Sequence, residues 1–171
     1  MVEFSTQFAK TSAEELSLDE RNILSVSFKN VVGTRRAAWR VLSSIEKKEN
    51  NKGNVSNVEK VRHYKGIIEE ELTSKCQNIL NLLESVLIQK CQSDEAKVFF
   101  LKMKGDYYRY IAEFSNNDKR ENAAKRALTS YQEAHDYAKD SLATTHPVRL
   151  GLALNFSVFY YEIYQNPLKA S

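Results

Sequence analysis

Ser17-Leu18-Asp19-Glu20 opens a long segment of one periodicity: Ile23, Leu24, Phe28, Val31, Val32, Trp39, Leu42 and Ile45 recur at three- and four-residue steps. The Ser-x-x-Glu spacing is a capping box. The Ser17 hydroxyl is placed to accept from a first-turn amide while Glu20 reaches back, so a helix is predicted to start there. The pattern breaks at Glu49-Asn50-Asn51-Lys52-Gly53-Asn54 and resumes after Ser56, which with Glu59 makes a second capping-box spacing. Val58, Val61, Ile68, Leu72, Cys76, Ile79, Leu83 and Val86 then predict another long helix, ending near Gln89. Two long helices joined by a short polar loop predict an antiparallel hairpin.

Outward from this hairpin, shorter helices are predicted from Asp94 to about Ser115, from there to about Leu142, and from Pro147 onward. Phe4 and Phe8 suggest the tail of one more helix before Ser17. In the fifth segment Ala124, Ala127, Ala134 and Ala138 share a face with Leu128 and Tyr131, and such small residues let a neighbouring helix come close. That face resembles helical-repeat packing, although no sequence period recurs.

The composition agrees with an all-α class. The 171 residues include only 5 Gly and 2 Pro, too few to punctuate an all-β sandwich or barrel, and 42% hydrophobic residues supply a core. The 25 Lys and Arg nearly balance the 22 Asp and Glu, giving a net charge of +3, below the excess of a dedicated nucleic-acid binder. Cys76 and Cys91 have neither metal-ligand spacing nor an accompanying Cys/His cluster, so a reducing compartment is expected, cytoplasm or nucleus. Met1-Val2-Glu3-Phe4-Ser5 has no secretory pattern and eighteen apolar residues never run together, so no membrane span is expected. His63, His135 and His146 are scattered, without a nucleophile constellation or phosphate-cradling Gly-rich loop; each is read as a surface or capping histidine, and neither catalytic residue, metal nor cofactor is assigned. The Tyr-rich runs Tyr107 to Tyr110 and Tyr160 to Tyr164 sit at core spacing inside helices, which disfavours base stacking on nucleic acid.

Three helix faces carry chemistry. On the first long helix Lys29, Arg36 and Arg40 fall within about 40° of one another, a cationic stripe flanked by Phe28, Val32 and Trp39 on one side and Ile23, Leu24, Val31, Leu42 and Ile45 on the other. Such a stripe lines a groove, and Gly33 beside it would let a ligand approach the backbone. On the fourth segment Lys102, Asp106, Arg109 and Glu113 share a face with Tyr110 and Phe99 at its edge. Taken alone, a surface ladder with Asp106–Arg109 and Arg109–Glu113 pairs explains that face. On the last segment Gly151, Asn155, Val158 and Glu162 share a face with Leu154 beside it.

If the three faces converge, Arg36 and Arg109 offer planar forks of donors, Lys29 a compact charge and Tyr110 a hydroxyl, a set suited to a phosphate dianion. Asp106 would orient a guanidinium. Asn155 can donate to and accept from a peptide backbone, while Leu154 and Val158 would pack its side chains. Binding of a phosphorylated peptide without catalysis is the leading reading, and a truncated, purely structural helical scaffold whose stripe forms internal ion pairs, or a dimerisation-defective fragment that binds no phosphopeptide, is the alternative.

The stretches Lys29-Asn30-Val31-Val32-Gly33-Thr34-Arg35-Arg36-Ala37-Ala38-Trp39-Arg40, Leu101-Lys102-Met103-Lys104-Gly105-Asp106-Tyr107-Tyr108-Arg109-Tyr110 and Leu150-Gly151-Leu152-Ala153-Leu154-Asn155-Phe156-Ser157-Val158-Phe159-Tyr160-Tyr161-Glu162 resemble the 14-3-3 family. The resemblance implies an antiparallel helical bundle of TPR-like character, with about six of the family's nine helices in a single domain over residues 1–171, the first helix and the last two being absent. It implies an adaptor that regulates partner proteins by holding their phosphoserine or phosphothreonine segments in a basic amphipathic groove. Lys29, Arg36, Arg109 and Tyr110 take the phosphate-binding places; Arg40, Lys102, Asp106, Leu154, Asn155, Val158 and Glu162 line the groove. Homo- or heterodimers are expected of the family, and the absent front would remove part of that interface. Ala38 stands where many members carry a Ser whose phosphorylation splits the dimer.

Overall fold

A computed structural model describes residues 1–170, and Ser171 lies outside the described residues. The helices are α1 (Val2–Thr11), α2 (Leu18–Asn51), α3 (Val55–Leu82), α4 (Asp94–Phe114), α5 (Asn117–Ser141), α6 (Pro147–Glu162) and the single turn α7 (Pro167–Ala170). All the predicted helices form, including the one announced by Phe4 and Phe8, and no strand occurs among the described residues.

The start of α2 is the capping box expected of it: the Glu20 amide donates to Ser17 Oγ at 3.4 Å, and the Ser17 amide donates to Glu20 Oε2 at 2.8 Å. The second box does not form. Gly53, at φ +72°, turns the chain in the left-handed region, and α3 begins with Val55 after an Asn54 N-cap. Ser56 therefore sits inside the first turn, past the position from which its hydroxyl could cap. The turn is held instead by Glu49, which accepts from the Asn54 and Asn57 side-chain amides at 2.8 Å each and pairs with Lys52.

The second long helix also departs from its expected end. After Leu82 a π turn, Leu83–Leu87, closes with the Ile88 amide on the Leu83 carbonyl at 3.0 Å. The wider turn adds one residue to the helical repeat. The buried position consequently moves from Val86, where the periodicity put it, to Leu87, while Val86 is half-buried.

Contacts between helices settle their directions. Arg35 meets Glu71, Trp39 meets Glu69 and Glu46 meets Arg62, so α2 and α3 are antiparallel. Lys97 with Tyr137, Tyr108 with Arg126 and Ala112 with Arg120 make α4 and α5 antiparallel as well. By contrast, Arg21 with Glu95, Phe28 with Tyr107 and Arg36 with Glu113 run the same way along α2 and α4, and Asp106 with Asn155 and Arg109 with Glu162 do so along α4 and α6. Hence α2, α4 and α6 lie parallel, with their polar faces side by side, and α3 and α5 are the return strokes. The core between them contains Phe28, Leu72, Ile79, Phe100, Tyr131 and Phe159, all buried.

The small-residue face of α5 is buried as expected, with Ala124, Ala127, Ala134 and Ala138 in the core. One contact there is unusually close: a Cβ at Gly105 would lie 2.8 Å from Tyr131 Cδ1 and Cε1, so only glycine admits this ring against α4. Of the second stripe flank Leu24 is buried, Val31 and Leu42 are half-buried, and Ile23 and Ile45 are exposed. One reading needs correction. Among the tyrosines, Tyr107 and Tyr108 are buried, but Tyr161 and Tyr164 are exposed and Tyr164 lies beyond α6. His146 caps α6 by accepting from the Val148 amide at 3.3 Å.

Candidate functional site

Lys29, Arg36 and Arg40 lie on the long α2, Lys102, Asp106, Arg109, Tyr110 and Glu113 on the adjoining α4, and Leu154, Asn155, Val158 and Glu162 on α6, which packs on the same helix. Direct contacts tie most of these together. The Arg36 guanidinium lies 3.8 Å from the centre of the Tyr110 ring and that of Arg109 lies 4.8 Å from it, so one aromatic ring holds two like charges near each other. Asn155 Nδ2 donates to both Asp106 oxygens, at 2.9 and 3.0 Å, and Arg109 Nη1 donates to Glu162 Oε2 at 3.1 Å. Leu154 is exposed and Val158 half-buried, which leaves an apolar edge beside these polar groups. Lys29 is exposed and makes no ion pair or side-chain hydrogen bond among the described residues.

The surface-ladder alternative on α4 is only half right. Asp106 and Arg109 do pair, Oδ1 to Nη2 at 3.8 Å, but Arg109 does not reach Glu113. Glu113 crosses to α2 instead, where Oε2 accepts from Arg36 Nε at 2.8 Å and Oε1 from Arg40 Nε at 2.6 Å. The parallel packing of α2 and α4 places both guanidinia within reach of one half-buried carboxylate, whereas the i,i+4 partner on its own helix is drawn inward by buried acceptors.

Those acceptors are Asp106 and Tyr131. Asp106 Oδ1 accepts from the Tyr131 hydroxyl at 2.6 Å, Oδ2 accepts from Lys102 Nζ at 3.0 Å, and Arg109 Nε donates to the Tyr131 oxygen at 3.2 Å. Sequence reasoning placed Tyr131 in the core and missed its polar role. The sole signal was a phenol on a face otherwise built of small and apolar residues, where a buried hydroxyl needs a partner.

Protonation states follow. Burial works against the Arg109 charge, but Tyr131, Asp106 and Tyr110 around it outweigh that effect and hold its pKa above the ordinary value. Burial, reinforced by Asp106, pushes the Tyr131 hydroxyl well above its usual range, so it stays protonated and donates. Tyr110 is raised for the same two reasons. Burial raises the Cys76 thiol to about 12, against the charge of nearby Arg36, and the Cys91 thiol to about 11, and both cysteines are free. No group of three or more His, Cys, Asp or Glu with metal-site geometry occurs among the described residues, nor does a helix long and apolar enough to cross a membrane.

Each of four residues keeps a donor that no neighbour uses. Lys29 Nζ, Arg36 Nη1 and the Tyr110 hydroxyl make no hydrogen bond among the described residues, and Arg109 Nη2 faces Asp106 only at 3.8 Å, beyond hydrogen-bond distance. Of these, the Arg36 and Arg109 guanidinia and the Tyr110 ring adjoin one another, and Lys29 lies on the same helix as Arg36.

In these terms the chain is an all-helical protein whose parallel helices α2, α4 and α6 carry linked cationic and polar side chains. A family model described as 14-3-3 protein matches residues 1–171. The 14-3-3-like protein A of Glycine max is 57% identical over 171 residues, and 14-3-3-like protein GF14-12 of Zea mays is 56% identical, each alignment covering 99% of this chain and 66% of the relative. The 14-3-3-like protein GF14 psi of Arabidopsis thaliana is 56% identical over 99% of this chain and 67% of its own length. The chain belongs to the 14-3-3 family. It spans about two thirds of the length of these curated relatives.

Proposed function

We propose that the chain is a single-domain, non-enzymatic adaptor that binds phosphoserine or phosphothreonine segments of partner proteins in the α2–α4–α6 groove and thereby regulates their activity, localisation or assembly. The observation that carries this reading is the set of four uncommitted donors on Lys29, Arg36, Arg109 and Tyr110. A phosphate dianion offers three strong acceptor oxygens to such a set. Charge-assisted hydrogen bonds contribute roughly 1.5 to 3 kcal/mol each, so three or four offset much of the roughly 4 to 15 kcal/mol that association costs in lost freedom. Asn155 commits its Nδ2 to Asp106, which leaves Oδ1 to accept a backbone N–H of an extended segment. Leu154 and Val158 receive its apolar side chains, and Lys102, Arg40 and Glu162 border the path. The partners this reading implies are phosphorylated proteins of a reducing compartment, together with a second 14-3-3 subunit.

A structural scaffold is the second reading, favoured by the Glu113 clamp on Arg36 and Arg40. Lys29 separates the two, because it has no internal partner to lose. Fluorescence anisotropy with a phosphoserine peptide and its unphosphorylated twin is the test. Selective binding of the phosphopeptide, abolished by Lys29→Glu without a change in melting temperature, supports the adaptor. Equal binding or none by folded protein supports the scaffold.

A further inference from the structure

The Tyr131 hydroxyl occupies an unusual place for a core aromatic. The residue is wholly buried, yet its oxygen lies between the guanidinium of Arg109 and the carboxylate of Asp106. Arg109 and Asp106 do not hydrogen-bond each other; at 3.8 Å their direct contact is an ion pair without a defined fork. Two partners orient the guanidinium: Glu162 Oε2 accepts from Nη1 at 3.1 Å, and the phenol, on the buried side, accepts from Nε at 3.2 Å while donating to Oδ1 at 2.6 Å. The same carboxylate holds Asn155 Nδ2. One hydroxyl therefore links the residue facing the anion to the residue facing the peptide backbone.

The ring's own position is overdetermined. It stacks on Phe156 at 5.3 Å between centroids and packs against Phe159 at 5.5 Å, and its other edge meets the bare backbone of Gly105. A hydroxyl on so confined a ring has little freedom to follow Arg109, so Arg109 must follow it.

We propose that Tyr131 is a positioning residue of the phosphate pocket, its hydroxyl holding Arg109 by Nε so that Nη2 remains available to the phosphate instead of closing on Asp106. The inference rests on the adaptor reading above. Without the hydroxyl, Nε has no partner and the guanidinium closes the gap to Asp106 to form a direct fork, withdrawing Nη2 from the ligand.

Tyr131→Phe removes the oxygen and keeps the ring. By anisotropy its affinity for the phosphoserine peptide is expected to fall about tenfold, the equivalent of one charge-assisted hydrogen bond. A structural role would weaken binding through general loosening, so the decisive measurement is a double-mutant cycle. In the Arg109→Lys background, where no Nε exists, Tyr131→Phe is expected to change affinity less than about twofold. Selective binding by the unaltered protein with no effect of Tyr131→Phe, or with the same tenfold effect in both backgrounds, overturns the positioning role and leaves the adaptor reading standing. Failure of the unaltered protein to prefer the phosphopeptide overturns both. Should Tyr131→Phe not fold, the unaltered protein still decides: the Arg109 Nε–H resonance must show solvent exchange much slower than free arginine, and exchange as fast as free arginine refutes the proposal.

Discussion

Replacing Asp106 by Asn keeps the shape of the side chain and removes its charge at the point where four polar groups meet. The carboxylate accepts from the Tyr131 hydroxyl, from Lys102 Nζ and, through both oxygens, from Asn155 Nδ2, and it faces Arg109 Nη2. Every one of these neighbours is a donor, which an anion with four lone-pair sites satisfies and an amide does not. With its NH2 on the Tyr131 side the amide meets the phenol, whose oxygen already accepts from Arg109 Nε; with its NH2 on the other side it meets an ammonium. Water gives little relief, since Asp106 is 7% exposed and Arg109 6%. Breaking one side of a buried ion pair costs about 3 to 5 kcal/mol, and the partial exposure of Lys102 puts this case near the lower end. A loss of about 3 kcal/mol corresponds to a fall in Tm of roughly 6 to 12 °C for a chain of this length. Urea unfolding followed by circular dichroism should show the same loss in the midpoint at constant slope. A loss below about 1 kcal/mol would refute the reasoning, because the attraction between Asp106 and its donors would then barely exceed what desolvation takes away.

Two further substitutions test other parts of the structure. A methyl at Gly33 would meet nothing within 4 Å, so Gly33→Ala in the middle of α2 is expected to stabilise the helix by about 1 kcal/mol and to raise Tm by roughly 2 to 4 °C. The same methyl narrows the approach between Lys29 and Arg36, and anisotropy should show weaker phosphopeptide binding; an unchanged Tm would contradict the open geometry. Asn57, Asn54 and Lys52 hydrogen-bond the Glu49 carboxylate and lower its pKa from 4.5 to about 2. Because the folded value lies below the unfolded one, the contribution of Glu49 to stability is complete above pH 4.5 and disappears as the pH falls toward 2. The Tm difference between the unaltered protein and Glu49→Gln should therefore be largest at neutral pH and shrink over that window, and a difference independent of pH would refute the assignment.

Local rules made much of this protein legible from its residues alone. Ser17 and Glu20, Pro147, and the three- and four-residue apolar steps act within one or two turns, so the helices and their faces could be read without knowing how they pack. The cationic stripe of Lys29, Arg36 and Arg40 followed from the same geometry. At Ser56 and Val86 even local reading failed, since the turn at Gly53 moved the N-cap two residues earlier, to Asn54, and the π turn at Leu83–Leu87 moved the buried position by one.

Partners between helices belonged to the tertiary structure. Glu113 and Arg36 stand 77 positions apart, and nothing in either segment distinguishes that pairing from the i,i+4 pair with Arg109. The parallel alignment of α2 and α4 decides it, by bringing two guanidinia of α2 to one carboxylate. Tyr131 shows the same limit more sharply: its spacing correctly marks it for burial, but the depth of its hydroxyl depends on Gly105 having no side chain on the facing helix. Helical periodicity is a property of a few consecutive residues and is written in the chain. Which donor meets which acceptor depends on distances and crossing directions between helices, quantities that exist only after the core has packed.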